Sequence, residues 1–330
     1  MTTEEILKLL YAAPAALRAK AICRELSLHR CAVRKVVREL RQAGYEIEGS
    51  LRTGLRLLSG DDRLALSKIA ACIPCHPWLE KVQIFDSLES TNTLAKQLAA
   101  EGAPAGTVIL AETQSAGRGR LGRSFSSAPG GLYMSVILRP EGKPEDYLHL
   151  TAAAAVAAMR AIEESFGVKA DIKWTNDLVV SGRKICGILT ELSAGAVIVG
   201  VGINCNQTTL APEIADMAST LAAQLGRPID RNILAANLIH AFFALSVTLF
   251  SHKEHWLRRF TERCITVGQD VKLVQGGEVR FAHAESVGAD GALIVRLPDG
   301  STEAVTCGEV SVRGMYGYAG GSDRPNGRNP

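Results

Sequence analysis

Gly117-Arg118-Gly119-Arg120-Leu121-Gly122-Arg123 sets three arginines among three glycines, between two apolar runs that read as strands, Thr107 to Glu112 and Tyr133 to Leu138. Glycines let backbone amides approach phosphate oxygens, and arginines supply charge. The letters satisfy G-x-G-x-x-G, but the dinucleotide fingerprint needs a helix directly after the loop. Here Ser124 to Gly131 and then a strand follow, so the Rossmann context fails. A floppy Gly/Arg tract for RNA is disfavoured, because a single copy is bracketed by apolar strands.

Outward from this loop, strand and helix signals mix. Val82 to Phe85 reads as a strand and Thr91 to Ala100 as a helix; an alanine-rich helix, Thr151 to Phe166, ends at Gly167. Strands follow at Ala170 to Trp174, Lys184 to Leu192 and Ala196 to Gly202, then two helices between Asn232 and Arg263. This order predicts an α+β fold, a central mixed sheet with helices on one side. Past residue 264, short strands separated by Gly276-Gly277, Asp290-Gly291 and Asp299-Gly300 predict hairpins of a small β-barrel, and the Gly/Asn/Arg/Pro-rich tail 317–330 is expected to be disordered.

Upstream, Thr2 and Glu5 fit a capping box for a first helix, Leu17 to Leu26 reads as a second, and Val33, Val36, Val37 and Leu40 give a third its apolar face. Arg30, Arg34, Lys35, Arg38 and Arg41 decorate that third helix, where Arg34, Arg38 and Arg41 share one stripe that could lie along DNA; Tyr45 to Leu58 reads as a hairpin turning at Arg52-Thr53-Gly54, with Arg52 and Arg56 near its tip. Three helices and a basic hairpin predict a winged helix-turn-helix over residues 1–60, with Arg30, Arg34, Lys35, Arg38, Arg52 and Arg56 meeting DNA. Charge agrees: residues 1–60 carry 11 Lys and Arg against 6 Asp and Glu, whereas the rest of the 330-residue chain is net acidic. Residues 61–77, with a short helix candidate at Arg63 to Ala71 and then Pro74 and Pro77, are expected to be a linker.

Hydrophobic residues at 47% and charged residues at 22% exclude a disordered or fibrous chain. No apolar run reaches the roughly 18 residues of a membrane span, and the acidic start Thr2-Thr3-Glu4-Glu5 is unlike a signal peptide, so a cytoplasmic protein with no membrane contact is expected. The eight cysteines are accordingly expected to be reduced. Cys72-Ile73-Pro74-Cys75-His76 formally matches a haem-attachment pattern, but nothing argues for export and no second ligand pair completes a zinc site, so it reads as a coincidental pair.

Lys173-Trp174-Thr175-Asn176-Asp177 and Arg183-Lys184-Ile185-Cys186-Gly187, split by a Ser181-Gly182 turn, are predicted to pair as adjacent strands that gather Lys173, Asp177 and Lys184. Two ammonium groups beside a carboxylate suit a place where a carboxylic acid is joined to a phosphate. With these residues in order, the chain resembles the biotin-protein ligases, of the bifunctional bacterial kind that also represses the biotin operon. The resemblance rests on Ser90-Thr91-Asn92, Gln114, the Gly117–Arg123 loop, Lys173-Trp174 with Asn176-Asp177, Arg183-Lys184 with Gly187, and Gly200-Val201-Gly202-Ile203-Asn204. Thr175 stands where that family usually has Pro, and Phe125 where the repressor type usually has Trp.

The resemblance implies a catalytic domain over 78–263 and an SH3-like domain over 264–316. It implies a biotin pocket of Ser90, Thr91, Asn92, Gln114, Arg118, Gly119, Arg120, Lys184 and Gly187, and a nucleotide site of Arg120, Arg123, Phe125, Asn176 and Asn204. Lys184, Asp177, Arg118 and Lys173 are the implied catalytic set, with biotin and ATP as substrates and Mg²⁺ carried on ATP rather than fixed by protein ligands. The implied partners are a biotin carboxyl carrier protein, operator DNA at the N-terminal domain, and a second copy of the chain in a ligand-promoted homodimer. Two rival readings are a lipoate-protein ligase, whose loop carries consecutive glycines and which lacks the winged domain, and a ligand-sensing transcription factor without catalysis.

Overall fold

The computed structural model describes residues 5–312 apart from 7–8, 11–12, 14–15, 43–44, 60–61, 144–145, 147, 276–277 and 307–308. The Thr2 end of the capping box, the Gly276-Gly277 turn and the 317–330 tail lie outside the described residues.

Near the N-terminus, Ile6 and Leu10 pack with Ile22 of α1 (Ala19–Glu25), with Val33, Val36, Val37 and Leu40 of α2 (Arg30–Gln42), and with Ile47 and Leu55 of the hairpin β1 (Glu46–Ser50) and β2 (Gly54–Ser59). This is a small core of its own. Leu17, predicted to start the second helix, instead exchanges two backbone hydrogen bonds of 2.8 Å with Leu55 and so adds an extended residue to the wing. Gly49 has φ +84, and a Cβ there would fall 2.1 Å from the Gly54 carbonyl oxygen, so the wing closes only on glycine.

The stretch predicted as a linker is packed into the next unit. α3 (Leu66–Cys72) puts Ile69 into the main core beside Leu64. Upstream of it, Asp62 accepts from Arg231 Nε at 2.8 Å and from Asn206 Nδ2 at 2.6 Å. Apolar residues at the helical spacing of α3 need a surface to cover, and the main core supplies it.

The central sheet has seven strands: β3 (Val82–Phe85), β4 (Val108–Ala111), β5 (Leu132–Leu138), β6 (Asp171–Lys173), β7 (Asp177–Val180), β8 (Arg183–Ser193) and β9 (Ala196–Ile203). Their spatial order is β3-β4-β5-β9-β8-β7-β6, with only β3 and β4 parallel. Helices cover both faces, not one. α4 (Thr91–Ala100) sets Ala95 and Ala99 against Ile109, Ile137 and Ile198. On the other face, Val108, Leu110, Met134 and Val136 belong to the main core, in which α5 (Leu150–Phe166) lies against β6 to β9 and α7 (Arg231–Thr248) against β5, the alanines of α5 letting the two helices pack closely on each other. Side chains alternate along a strand, so β4 and β5, apolar at nearly every position, demand a cover on each side. Between β9 and α7 stands α6 (Leu221–Leu225), and α8 (Lys253–Arg263) follows α7.

β10 (Asp270–Gln275), β11 (Glu278–Val287), β12 (Leu293–Arg296), β13 (Thr302–Val305) and β14 (Glu309–Val312) form an antiparallel sheet in the order β13-β12-β11-β10-β14. Gly291 and Gly300 turn at φ +86 and +87. The sheet is fastened to the central unit at Trp174, whose indole Nε1 donates to Gly291 O at 2.9 Å. Among the described residues no helix is long and apolar enough to cross a membrane.

Candidate active site

The alternation of β5 carries Ser135 to the α4 face, where Ser90, Thr91 and Asn92 begin the helix. Ser90 caps it, its Oγ accepting from Thr93 N at 3.5 Å. These side chains are buried, and so they partner one another. Gln114 Oε1 accepts from Thr91 N at 2.7 Å, and Gln114 Nε2 donates to Ser127 Oγ at 2.7 Å. Asn92 Nδ2 donates to Glu191 Oε2 at 2.8 Å, and its Oδ1 accepts from Ser135 Oγ at 2.6 Å.

The Gly/Arg loop is pinned at both ends. Phe125 N donates to Gly117 O at 2.8 Å and Gly119 N to Arg123 O at 2.7 Å, while a Cβ on Gly117 would strike Phe125 O at 2.4 Å. At its tip Leu121 is 67% exposed in the left-handed region, φ +55. Arg118 pairs with Glu89 at 3.5 Å, both more than half exposed, a contact that water screens heavily. Arg120 Nη1 donates to Asn176 Oδ1 at 3.3 Å.

Opposite the loop lies a meander. The sequence predicted two adjacent strands; β7 intervenes between β6 and β8, pairing Lys173 with Asp177 and Asp177 with Gly187. The short turn from Trp174 to Asn176, whose Trp174–Thr175 peptide is cis, is enough to reverse the chain. The meander still gathers the expected groups: Lys184 Nζ sits 2.7 Å from Asp177 Oδ1, and Lys173 is buried beside them. Gly187 and Gly202 are neighbours across β8 and β9, and the Phe125 ring rests on both; a Cβ at Gly202 would come 2.6 Å from Phe125 Cε1. Asn204 is buried, its Nδ2 donating to Ser219 O at 3.2 Å.

Every residue assigned above to biotin, nucleotide or catalysis lines a single cavity of ≈ 730 Å³, with Arg118 and Lys184 on the same space. The 211–218 stretch adds Glu213, Ile214 and Met217 to the wall, which no motif pointed to. Ser135 and Glu191 were missed as well. Ser135 is the lone polar side chain within an apolar strand, a signal available in the sequence, whereas the Glu191 partnership joins residues 99 apart.

Cys186 cannot serve as a nucleophile, because full burial pushes its thiol far up. Burial also raises Cys72, with the charge of Asp230 adding to it, to about 12, so it is a poor thiolate ligand. Among the described residues no three His, Cys, Asp or Glu side chains converge as metal ligands, and Asp177 is engaged by Lys184.

In the N-terminal unit, Arg34, Lys35, Arg38, Arg52 and Arg56 are exposed. Arg41, expected to extend the basic stripe, instead donates to Ile47 O at 2.7 Å and Gly49 O at 2.9 Å, and Arg30 donates to Leu51 O at 3.3 Å. Both guanidiniums tie the hairpin to α2, since unpaired wing carbonyls lie within their reach.

The family model described as biotin/lipoate A/B protein ligase matches residues 84–207; an HTH domain model matches 2–56, and a biotin protein ligase C-terminal domain model 266–313. The bifunctional ligase/repressor BirA of Bacillus subtilis is 39% identical over 225 residues, covering 66% of this chain and 69% of its own. That of Escherichia coli is 28% identical over 296 residues, covering 87% and 90%. Among solved structures, a biotin protein ligase from Aquifex aeolicus in complex with biotin and ATP superposes with a TM-score of 0.63 at 28% identity, over 70% of this chain and 98% of that one.

Proposed function

Since the chain belongs to the biotin protein ligases, we propose that it activates biotin with ATP and transfers the acyl group to a lysine of a biotin carboxyl carrier protein. A biotin carboxylate oxygen attacks the α-phosphorus of ATP, the bond to the β-phosphate oxygen breaks, and pyrophosphate leaves. The lysine amine of the carrier then attacks the acyl carbon of biotinyl-5'-adenylate, releasing AMP and forming an amide. No enzyme nucleophile takes part.

The observation that carries this reading is the convergence of Arg118, Arg120, Lys173 and Lys184 with Ser90, Thr91 and Gln114 on one cavity. The neutral donors and acceptors suit a cyclic urea, and the cations suit phosphoryl oxygens that gain charge as the bonds change. Lys184 is held by Asp177, so the incoming anions must take over its ammonium. Arg118, Gly119 and Arg120 would close over the ligand with Arg123 supporting the loop, Arg120 moving from Asn176 to phosphate. Phe125, seated on Gly187 and Gly202, offers an aromatic face for adenine, with Asn176 and Asn204 at the nucleotide end. Incubating the protein with labelled ATP and biotin tests this: biotinyl-adenylate should form and should label a carrier domain. Turnover of lipoate in place of biotin, or no adenylate at all, would overturn it.

The winged unit supports a second activity, repression of transcription by a ligand-loaded homodimer. Adenylate would order the arginine loop, favour pairing of two copies and present two α2 helices to a two-part operator. Arg34, Lys35, Arg38, Arg52 and Arg56 are the DNA contacts in this reading. Arg30 is kept as a contact of mixed duty, since it also braces the wing. Sedimentation with and without biotin and ATP checks it, an unchanged monomer at high concentration counting against it.

A further inference from the structure

Asn92 is only 4% exposed, and both ends of its amide are engaged by protein. Ser135 and Gly200 are register partners on β5 and β9, and a Cβ at Gly200 would stand 2.3 Å from Asn92 Oδ1. The amide thus lies flat across the sheet, over a glycine, and reaches Glu191 on β8. Glu191 takes Asn92 on one carboxylate oxygen and Lys96, one helical turn further along α4, on the other at 2.8 Å.

This arrangement fixes a direction. A carboxylate only accepts, so Asn92 must point its NH₂ at Glu191 and its carbonyl at Ser135. An amide oxygen has no proton, so the Ser135 hydroxyl must donate to it. Ser135 has no second proton. The Thr91 hydroxyl, 2.7 Å away, must therefore donate to Ser135 rather than to Gln114 Oε1 at 3.1 Å. Gln114 Oε1 then holds only the Thr91 backbone N–H and keeps a lone pair for the cavity, as does Thr91 Oγ1. The Ser90 hydroxyl, accepting from Thr93 N, keeps its proton to donate. Burial by itself would raise Glu191, but the hydrogen bonds from Lys96 and Asn92 hold it below the usual carboxylate range, so the relay has an ionised end.

We infer that Glu191, Asn92 and Ser135 are positioning residues that set the hydrogen-bond polarity of the ureido end of the cavity, leaving two acceptors and one donor for the two N–H groups and one carbonyl of a cyclic urea. This rests on the proposed biotin reading and adds to it the group that makes the site specific for a ring with two N–H groups. Asn92, expected as a pocket residue, acts here through its neighbours rather than by direct contact.

The test is steady-state adenylate formation by the full chain, with biotin and with a biotin analogue methylated on one ureido nitrogen. Ser135→Ala frees the Thr91 proton to satisfy Gln114 Oε1 and removes an acceptor. It should raise KM for biotin roughly ten- to a hundredfold, leave KM for ATP and kcat at saturating biotin within about threefold, and cut the preference for biotin over the methylated analogue by about tenfold. Glu191→Gln, at a half-buried position that tolerates a neutral isostere, should move the same two biotin readouts in the same direction and less. An unchanged biotin KM and unchanged preference in both variants would overturn the inference while the wild type still makes adenylate. So would a loss shared equally among biotin, ATP and kcat, which marks a general structural defect. Failure of the wild type to make adenylate would instead strike the proposed function, and the inference with it.

Discussion

The two ends of the cavity are built on different principles. At the end that the proposed reading gives to the ring, Ser90, Thr91 and Asn92 are neutral and 3–4% exposed, Thr91 being held by Ser135 and Gln114, Asn92 by Ser135 and Glu191, and Ser90 by the Thr93 amide. At the end that the proposed reading gives to the phosphates, Arg118, Arg120 and Lys184 are charged, partly exposed, and paired with Glu89, Asn176 and Asp177. Under the proposed function, the contrast teaches that recognition is set during folding, whereas the charge meant for the reacting atoms is held in reserve on a glycine loop and a strand. Buried polar groups must be satisfied before any ligand arrives, but exposed ion pairs are worth little and exchange readily.

The comparison breaks first at Lys184. Lys184→Ala should slow adenylate formation by roughly 100- to 1,000-fold, because a preorganised cation at a developing phosphoryl charge is worth about that much. Pyrophosphate release in single turnovers measures it, and a wild-type rate would end the assignment. Next, Arg120→Gly removes a charge-assisted donor from the loop, so bound biotinyl-adenylate should dissociate roughly ten- to a hundredfold faster. Stray biotinylation of nearby proteins should follow, and a mass spectrum free of it would count against the closing loop.

Smaller changes sharpen the contrast. Gly202→Ala places a methyl 2.6 Å from the Phe125 ring and must tilt it. Such overpacking costs about 1–3 kcal/mol, to be read as a several-fold rise in KM for ATP with biotin affinity unchanged. Smallest is the response to acid at the ring end. Lys96 and Asn92, with the charge of Arg118, hold Glu191 below the usual carboxylate range against the effect of burial. A depressed carboxylate contributes stability above its unfolded value and loses it as pH falls through the folded one. Biotin affinity measured by calorimetry should therefore hold at neutral pH and weaken only below the ordinary glutamate range, and Glu191→Gln should flatten that fall.

Legibility in the sequence followed the reach of each interaction. β3 and the helix from Thr91 to Ala100 were read with their observed limits, because a local period and a serine cap determine them. The charged end of the cavity was legible too, since arginines among glycines have few structural uses. β7 was not, being four residues long and reached by a turn without Gly or Pro. The cover on the second face of the sheet was implied by β4, apolar at every position, yet the prediction placed helices on one side only. Arg41 looked like a DNA contact because helical spacing reports a face and not what folds back over it. The Glu191 partnership escaped because it depends on the register of β8 against α4, which no local pattern encodes.

Asp62 holds a lesson for dissection of the chain. Arg231 is 3% exposed, and it is neutralised by Asp62 together with Glu112. A truncation beginning at residue 78, where the resemblance places the start of the catalytic unit, would discard one of those two carboxylates and leave the buried guanidinium to Glu112 alone. A ligase severed from its DNA reader would need to keep the residues from Asp62 onward.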